Sequence, residues 1–156
     1  MPEKDIQKTV LSLVKAEADT LKGKEAPAVE KPVDYTFLQE CFRANSLGDG
    51  TYFAHLHHGK FVYAKKLQQW LVFTGQHWEV DHMERIYHGI EEGALAYLDY
   101  SYQTQKMVTE EKAKGPDASL QKISRLQKEE EAYYKRGNQL RADNRPESCL
   151  RYAHRI

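Results

Sequence analysis

The 156-residue chain carries 23 Lys+Arg against 23 Asp+Glu, a formal charge of zero. Forty per cent of its residues are hydrophobic and 29% are charged, with a mean hydropathy of −0.77. This excludes a strongly basic nucleic-acid binder of the histone or ribosomal type and an acidic solvating tail, and leaves one domain with a modest core, or one domain plus an arm.

Two cysteines, Cys41 and Cys149, cannot build a disulfide framework. The opening Met-Pro-Glu-Lys-Asp lacks the basic and apolar regions of a signal peptide. The densest apolar run, Trp70-Leu71-Val72-Phe73, is far short of the ~20 residues of a membrane span. A reducing cytoplasm is the expected compartment, with no membrane partner.

In chain order, Ile6, Val10, Leu13, Val14 and Leu21 fall at helical spacing over residues 4–22, and Gly23 to Pro32 reads as a linker. Residues 1–32 are thus an N-terminal helical arm and linker. Asp34 is placed to cap a short helix carrying Phe37, Leu38, Cys41 and Phe42. Asn45-Ser46-Leu47-Gly48-Asp49-Gly50 is dense in turn formers and predicts a loop. Tyr52, Phe53 and Leu56 fit a second short helix closed by Gly59.

The period then changes. Phe61-Val62-Tyr63-Ala64, Trp70-Leu71-Val72-Phe73-Thr74 and His77-Trp78-Glu79-Val80 are aromatic and β-branched, as strands prefer. Gly75-Gln76 between the last two predicts a type II′ hairpin. Alternate residues, Trp70-x-Val72-x-Thr74 and Trp78-x-Val80, share a face, and both tryptophans are expected in the sheet's core. So small a sheet needs helices packed on one side.

From Asp81 to Gln103, Met83, Ile86, Tyr87, Ile90, Ala94, Leu95, Leu98 and Tyr102 recur at three- and four-residue steps. Gly89 and Gly93 imply close packing. Gly115-Pro116 breaks the chain, and Asp117 is placed to cap a second long helix to about residue 140, with a thin stripe of Leu120, Ile123, Leu126, Tyr133 and Tyr134. Together these make a long helical hairpin with one buried and one exposed arm. Residues 146–156 carry Cys149, Leu150, Ala153 and Ile156 at helical spacing and stop mid-pattern. The fold class is α+β, mainly α, with helices packed on a small antiparallel sheet.

The zero net charge conceals a gradient. Residues 1–34 hold six bases and seven acids, residues 35–103 five and eight, and residues 104–156 twelve and eight. Past residue 134, Lys135, Arg136, Arg141, Arg145, Arg151 and Arg155 face only Asp143 and Glu147.

No catalytic constellation emerges. His55, His57 and His58 cluster, yet no spacing matches a zinc frame, and no phosphate-cradling glycine loop or metal-binding Asp-x-Asp is present. Cys41 lies on an apolar helix face, where an inert thiol is expected. Glu91-Glu92 and Glu129-Glu130-Glu131 read as solvated helix faces. Nucleic-acid contact keeps more weight. Lys65 and Lys66 sit in a turn beside Tyr63 and Trp70, pairing phosphate attraction with base stacking, and Arg136, Arg141 and Arg145 form a second basic candidate.

The segments Leu47-Gly48-Asp49-Gly50-Thr51-Tyr52-Phe53, Gly59-Lys60-Phe61-Val62-Tyr63 and Trp70-Leu71-Val72-Phe73-Thr74-Gly75-Gln76-His77-Trp78 resemble one known domain. It precedes the superfamily-three helicase in poxvirus, bacteriophage and plasmid primase-helicases. That family reads Asp-x-Gly-Asn-Ala-x-Arg-(Phe/Leu), then an apolar-x-Tyr strand, then Trp-x-x-(Trp/Tyr)-(Asp/Asn)-Gly-x-x-Trp. Gly48, Tyr63, Trp70, Gly75 and Trp78 keep the pattern; Ser46, Asp49, Tyr52 and Thr74 depart from it.

The resemblance implies a non-catalytic domain, residues 33–145, of a phage- or plasmid-type replication protein, followed at 146–156 by the start of a connection to a helicase module. It implies DNA as partner, single-stranded or forked, and self-association in the full-length protein. ATP and magnesium would belong to the helicase module, with no cofactor in this chain. The thin stripe on the 117–140 helix would then be finished by a neighbouring subunit. A stand-alone single-stranded DNA or primer-template binding module is the alternative.

Overall fold

A computed structural model describes residues 32–142 and 144–155. The expected arm helix and nearly all of the linker lie outside the described residues, as do Asp143 and Ile156. Among the described residues the order is α1 (Tyr35–Arg43), α2 (Asn45–Leu56), β1 (Phe61–Ala64), β2 (Gln69–Phe73), β3 (Trp78–Val80), α3 (Arg85–Ala113), α4 (Leu120–Gln139) and α5 (Arg145–Ala153). The class is α+β and mainly α, with a three-stranded antiparallel sheet in the order β1-β2-β3. No helix among the described residues is long and apolar enough to cross a membrane.

Asp34 caps α1 as expected, its carboxylate accepting from Thr36 N at 3.0 Å and Phe37 N at 3.1 Å. The loop predicted at 45–50 is instead the first half of α2. Its glycines serve packing. A methyl group on Gly48 would overlap the Cys41 carbonyl of α1, and one on Gly50 would lie 2.7 Å from Ala153 N of α5. Helical dihedrals are costly for glycine, but only glycine lets three backbones approach this closely. The turn signal was therefore a close-packing signal. Asn45, with φ of 54°, makes the corner between α1 and α2.

The strands fall where predicted, to within a residue. Gly75 carries the positive φ (96°) that the two-residue hairpin requires. The register pairs Phe61 with Val72, Tyr63 with Trp70, Val72 with Glu79 and Phe73 with Trp78. Phe61, Tyr63, Trp70 and Val72 thus share one face, where Phe53 of α2 packs 6.2 Å from the rings of Phe61 and Trp70. Trp78 lies on the opposite face beside Phe73, their rings 5.2 Å apart. The expectation that both tryptophans are core residues fails for Trp78, which is 43% exposed. A three-stranded sheet has helices on one side only, so one face must meet solvent.

α3 starts at Arg85, four residues later than predicted, because Asp81 stays outside the helix and accepts from Arg85 N and Ile86 N. It then runs ten residues past the predicted end. Its buried row is Ile86, Ile90, Ala94, Tyr97, Ser101, Thr104, Val108 and Glu111, at steps of four and three. Met83, Tyr87, Leu95 and Tyr102, expected in the core, are exposed instead. The polar members of the row are why hydropathy alone misplaced the stripe. Gly89 is a close-packing site, a methyl there lying 2.9 Å from the His57 and Phe53 rings, whereas Gly93 has ordinary room.

The hairpin turns at Gly115–Asp117, and Ser119, not Asp117, caps α4 by accepting from Lys122 N. Glu111 clamps the turn. Its carboxylate accepts from Lys114 Nζ at 2.7 Å, Lys122 Nζ at 2.8 Å and Ser119 N at 3.1 Å, and these bonds hold its pKa down to about 2. Ile123 and Leu126 of α4 pack with Val108 of α3. Of the stripe expected to await a neighbouring subunit, Ile123, Leu126 and Tyr133 are covered within the chain, whereas Leu120 and Tyr134 are exposed. Cys149, Leu150 and Ala153 of α5 are buried, with α5 packed on α2.

Candidate nucleic-acid interface

The predicted basic candidates separate into two kinds. Arg136 and Arg145 converge on Asp49 of α2. Arg136 Nη1 donates to Asp49 Oδ1 at 3.0 Å, and Arg145 Nε donates to Oδ2 at 2.8 Å. Tyr97 Oη donates to the same Oδ1 at 3.0 Å, and burial together with that carboxylate holds its phenol far above the ordinary tyrosine range. Arg136 also reaches Asn45 Oδ1 and lies 4.5 Å over the Phe42 ring, which stacks on Tyr133 at 4.1 Å. Arg136 is 7% exposed. Arg141, by contrast, is exposed and pairs with Glu91 of α3, Nε to Oε2 at 3.0 Å. Arg136 and Arg145, expected to contact nucleic acid, both direct their guanidiniums at one buried carboxylate.

Lys65 and Lys66 are exposed in the β1–β2 turn, as predicted. Lys65 opens onto a cleft of about 690 Å³ formed by the C-terminal half of α2, the first two strands and the end of α5. Tyr63 lines it, its ring 5.3 Å from Trp70 and 4.6 Å from His154. Phe37 and His55, rings 4.8 Å apart, form a second aromatic pair in the lining. His58 and Arg155 complete the polar part, and Trp78 also contributes to the lining. No Asp or Glu lines the cleft, in a chain holding 23 of them. Lys65, Arg155, His55, His58 and His154 enter none of the ion pairs found among the described residues. The cleft is therefore a field of unneutralised donors between aromatic rings, which suits an anion that also carries π-faces.

Sequence reasoning found Lys65, Tyr63 and Trp70 but missed His154 and Arg155, which lie some ninety residues away in the chain. They arrive because α5 packs on α2, and the glycine at position 50 that permits this was the available signal. Gly48 and Gly75 act through the backbone, in the α1–α2 contact and the hairpin, and do not line the cleft.

Cys41, Cys149 and His57 are poor chemical agents. Burial pushes the Cys41 thiol up to about 11 and the Cys149 thiol up to about 12, so both stay protonated at neutral pH. His57 is buried with Nε2 2.9 Å from Gly89 O, and burial lowers its pKa, so the ring is neutral and donates that bond. No group of three or more His, Cys, Asp or Glu placed to hold a metal ion occurs among the described residues.

Neither the curated proteins nor the solved structures contain a significant match to the chain. The family model described as D5 N terminal like matches residues 50–156, which take in most of α2, the sheet, the helical hairpin and α5. Matched over more than two thirds of its length, the chain belongs to this family, the N-terminal domain of phage and poxvirus primase-helicase proteins.

Proposed function

We propose that this domain holds DNA beside the ATP-dependent helicase part of a phage- or plasmid-type primase-helicase, with the cleft at Lys65, Tyr63 and Arg155 as the contact. Family membership supports a part in a primase-helicase replication protein and a non-catalytic role. The single observation that carries the DNA contact is the cleft's lining, which combines lysine, arginine, three unpaired histidines and aromatic rings with no carboxylate. Any ATP and magnesium would be bound by the helicase module and not by these residues. Fluorescence anisotropy of a labelled oligonucleotide at ~50 and ~200 mM salt tests the reading, since phosphate contacts make affinity fall with salt. Lys65→Glu and Arg155→Glu should each weaken binding; affinity unchanged in both removes the cleft from the account.

A second reading, that the domain also positions neighbouring subunits, is favoured by the outer sheet face, where Val62, Phe73 and Trp78 are 40–44% exposed. Light scattering on the chain and on a longer protein that includes the helicase module tests it. A longer protein that stays monomeric with ATP and DNA rules it out.

A further inference from the structure

We infer that the cleft takes single-stranded DNA by stacking unpaired bases on its aromatic rings, and does not take duplex. This rests on the reading of the cleft as a DNA contact and adds how that contact is made.

Three observations carry it. First, the Tyr63 ring lies 5.3 Å from that of Trp70 and 4.6 Å from that of His154, and all three are only partly buried. A phosphate-only site would have no use for partly exposed rings in its lining. Second, Lys65 and Arg155 line the same cleft as these rings. Lys65 stands in the turn that follows Tyr63 by two residues, and Arg155 follows His154 directly. A backbone held by Lys65 and Arg155 would bring its bases to these rings. Third, a cavity of about 690 Å³ is the size of a small-molecule pocket and holds roughly one or two nucleotides. The bases of a duplex are already stacked on one another and paired, so they offer these rings no free face without being unstacked.

The test uses the intact 156-residue chain and three fluorescein-labelled probes of equal phosphate number: a thymidylate 12-mer, an abasic 12-mer of the same backbone, and a duplex of that charge. The thymidylate strand should bind roughly ten- to a hundredfold more tightly than the abasic strand, the range expected for one or two stacked bases. It should also quench tryptophan emission, which the abasic strand should not. Tyr63→Leu and His154→Ala should each reduce the difference between the two strands while leaving the salt slope intact. Equal affinity for thymidylate and abasic strands, or duplex binding as tight as the single strand, overturns the inference and leaves a phosphate-only DNA contact standing. Absence of binding to all three probes overturns the DNA reading itself. The probe comparison needs no variant, so a misfolded Tyr63→Leu protein does not decide the outcome.

Discussion

Asp49 and Arg136, 87 residues apart in the chain, form a buried ion pair at 3.0 Å, and Arg145 closes on the carboxylate's other oxygen. One acid from the electronegative middle of the chain therefore faces two bases from the electropositive end. Arg141 and Glu91 form a further such pair at the surface. Part of the charge gradient along the sequence is thus paired within the protein, joining α2 and α3 to α4 and α5. What remains unpaired near the chain's end includes Arg155, at the cleft.

A buried charge left without its partner is costly, about 3–5 kcal/mol. Asp49→Ala should destabilise the domain by that order, measured as a fall in the urea midpoint at unchanged slope. Asp49→Asn, which keeps an acceptor oxygen, should cost less. A double-mutant cycle with Arg136→Gln should show coupling above about 1 kcal/mol, and additive losses would mean the pair acts independently.

Two glycines on buried helix faces should respond in opposite directions. Gly48→Ala places a methyl group against the Cys41 backbone, which cannot rotate away, and should cost about 3 kcal/mol or more. Gly93→Ala meets nothing nearer than Tyr52 Cδ1 at 3.9 Å and should gain up to about 1 kcal/mol from helix propensity. Thermal melts of the two variants check both signs.

Acid should weaken the domain in two stages. His57 has its pKa lowered by burial, so its contribution is present above the unfolded value near 6.5 and is lost as pH falls below it. The slope from this group is at most about 1.4 kcal/mol per pH unit. Glu111, held down to about 2 chiefly by Lys114 and Lys122, contributes above the ordinary carboxylate range, and that contribution disappears as pH drops from about 4.5 towards 2. Urea midpoints at pH 7, 6 and 5 should decline in the parent and less steeply in His57→Gln. Glu111→Gln should alter the profile only below about pH 5.

Charge substitutions should divide by where the structure puts them. Lys65→Glu and Arg155→Glu should each weaken DNA binding and flatten its dependence on salt, by about one unit of slope for each phosphate no longer neutralised. Arg141→Gln, already paired with Glu91, should leave both unchanged. Anisotropy across a salt series reads all three.

The elements were legible in the sequence because each rests on local chemistry. Asp34 before an apolar period, Gly75-Gln76 between aromatic runs, and Gly115-Pro116 between two helical patterns declare a cap, a hairpin and a helical turn without reference to the rest of the chain. The one element misread, residues 45–50, failed for the same reason. Glycine in a helix is locally unfavourable, and only the approach of α1 and α5 explains Gly48 and Gly50. The helix faces were partly legible: the Ile86, Ile90 and Ala94 row is apolar, but Ser101, Thr104 and Glu111 continue it with polar groups whose partners lie elsewhere in the fold.

The site was legible only in its contiguous part. Lys65, Tyr63 and Trp70 lie close together in the chain, and their chemistry could be read together. Arg136, Arg145 and Arg155 could not be told apart in the sequence, because an arginine is equally basic whether it meets a buried carboxylate or an open cleft. The sequence by itself determined composition, elements, the helical hairpin and the family pattern around the two tryptophans. Only the tertiary structure decided which charges cancel, which tryptophan faces the helices and which basic groups stand beside Tyr63. Local preferences act over a few residues, whereas burial and charge pairing depend on distances that exist only after the chain has closed on itself.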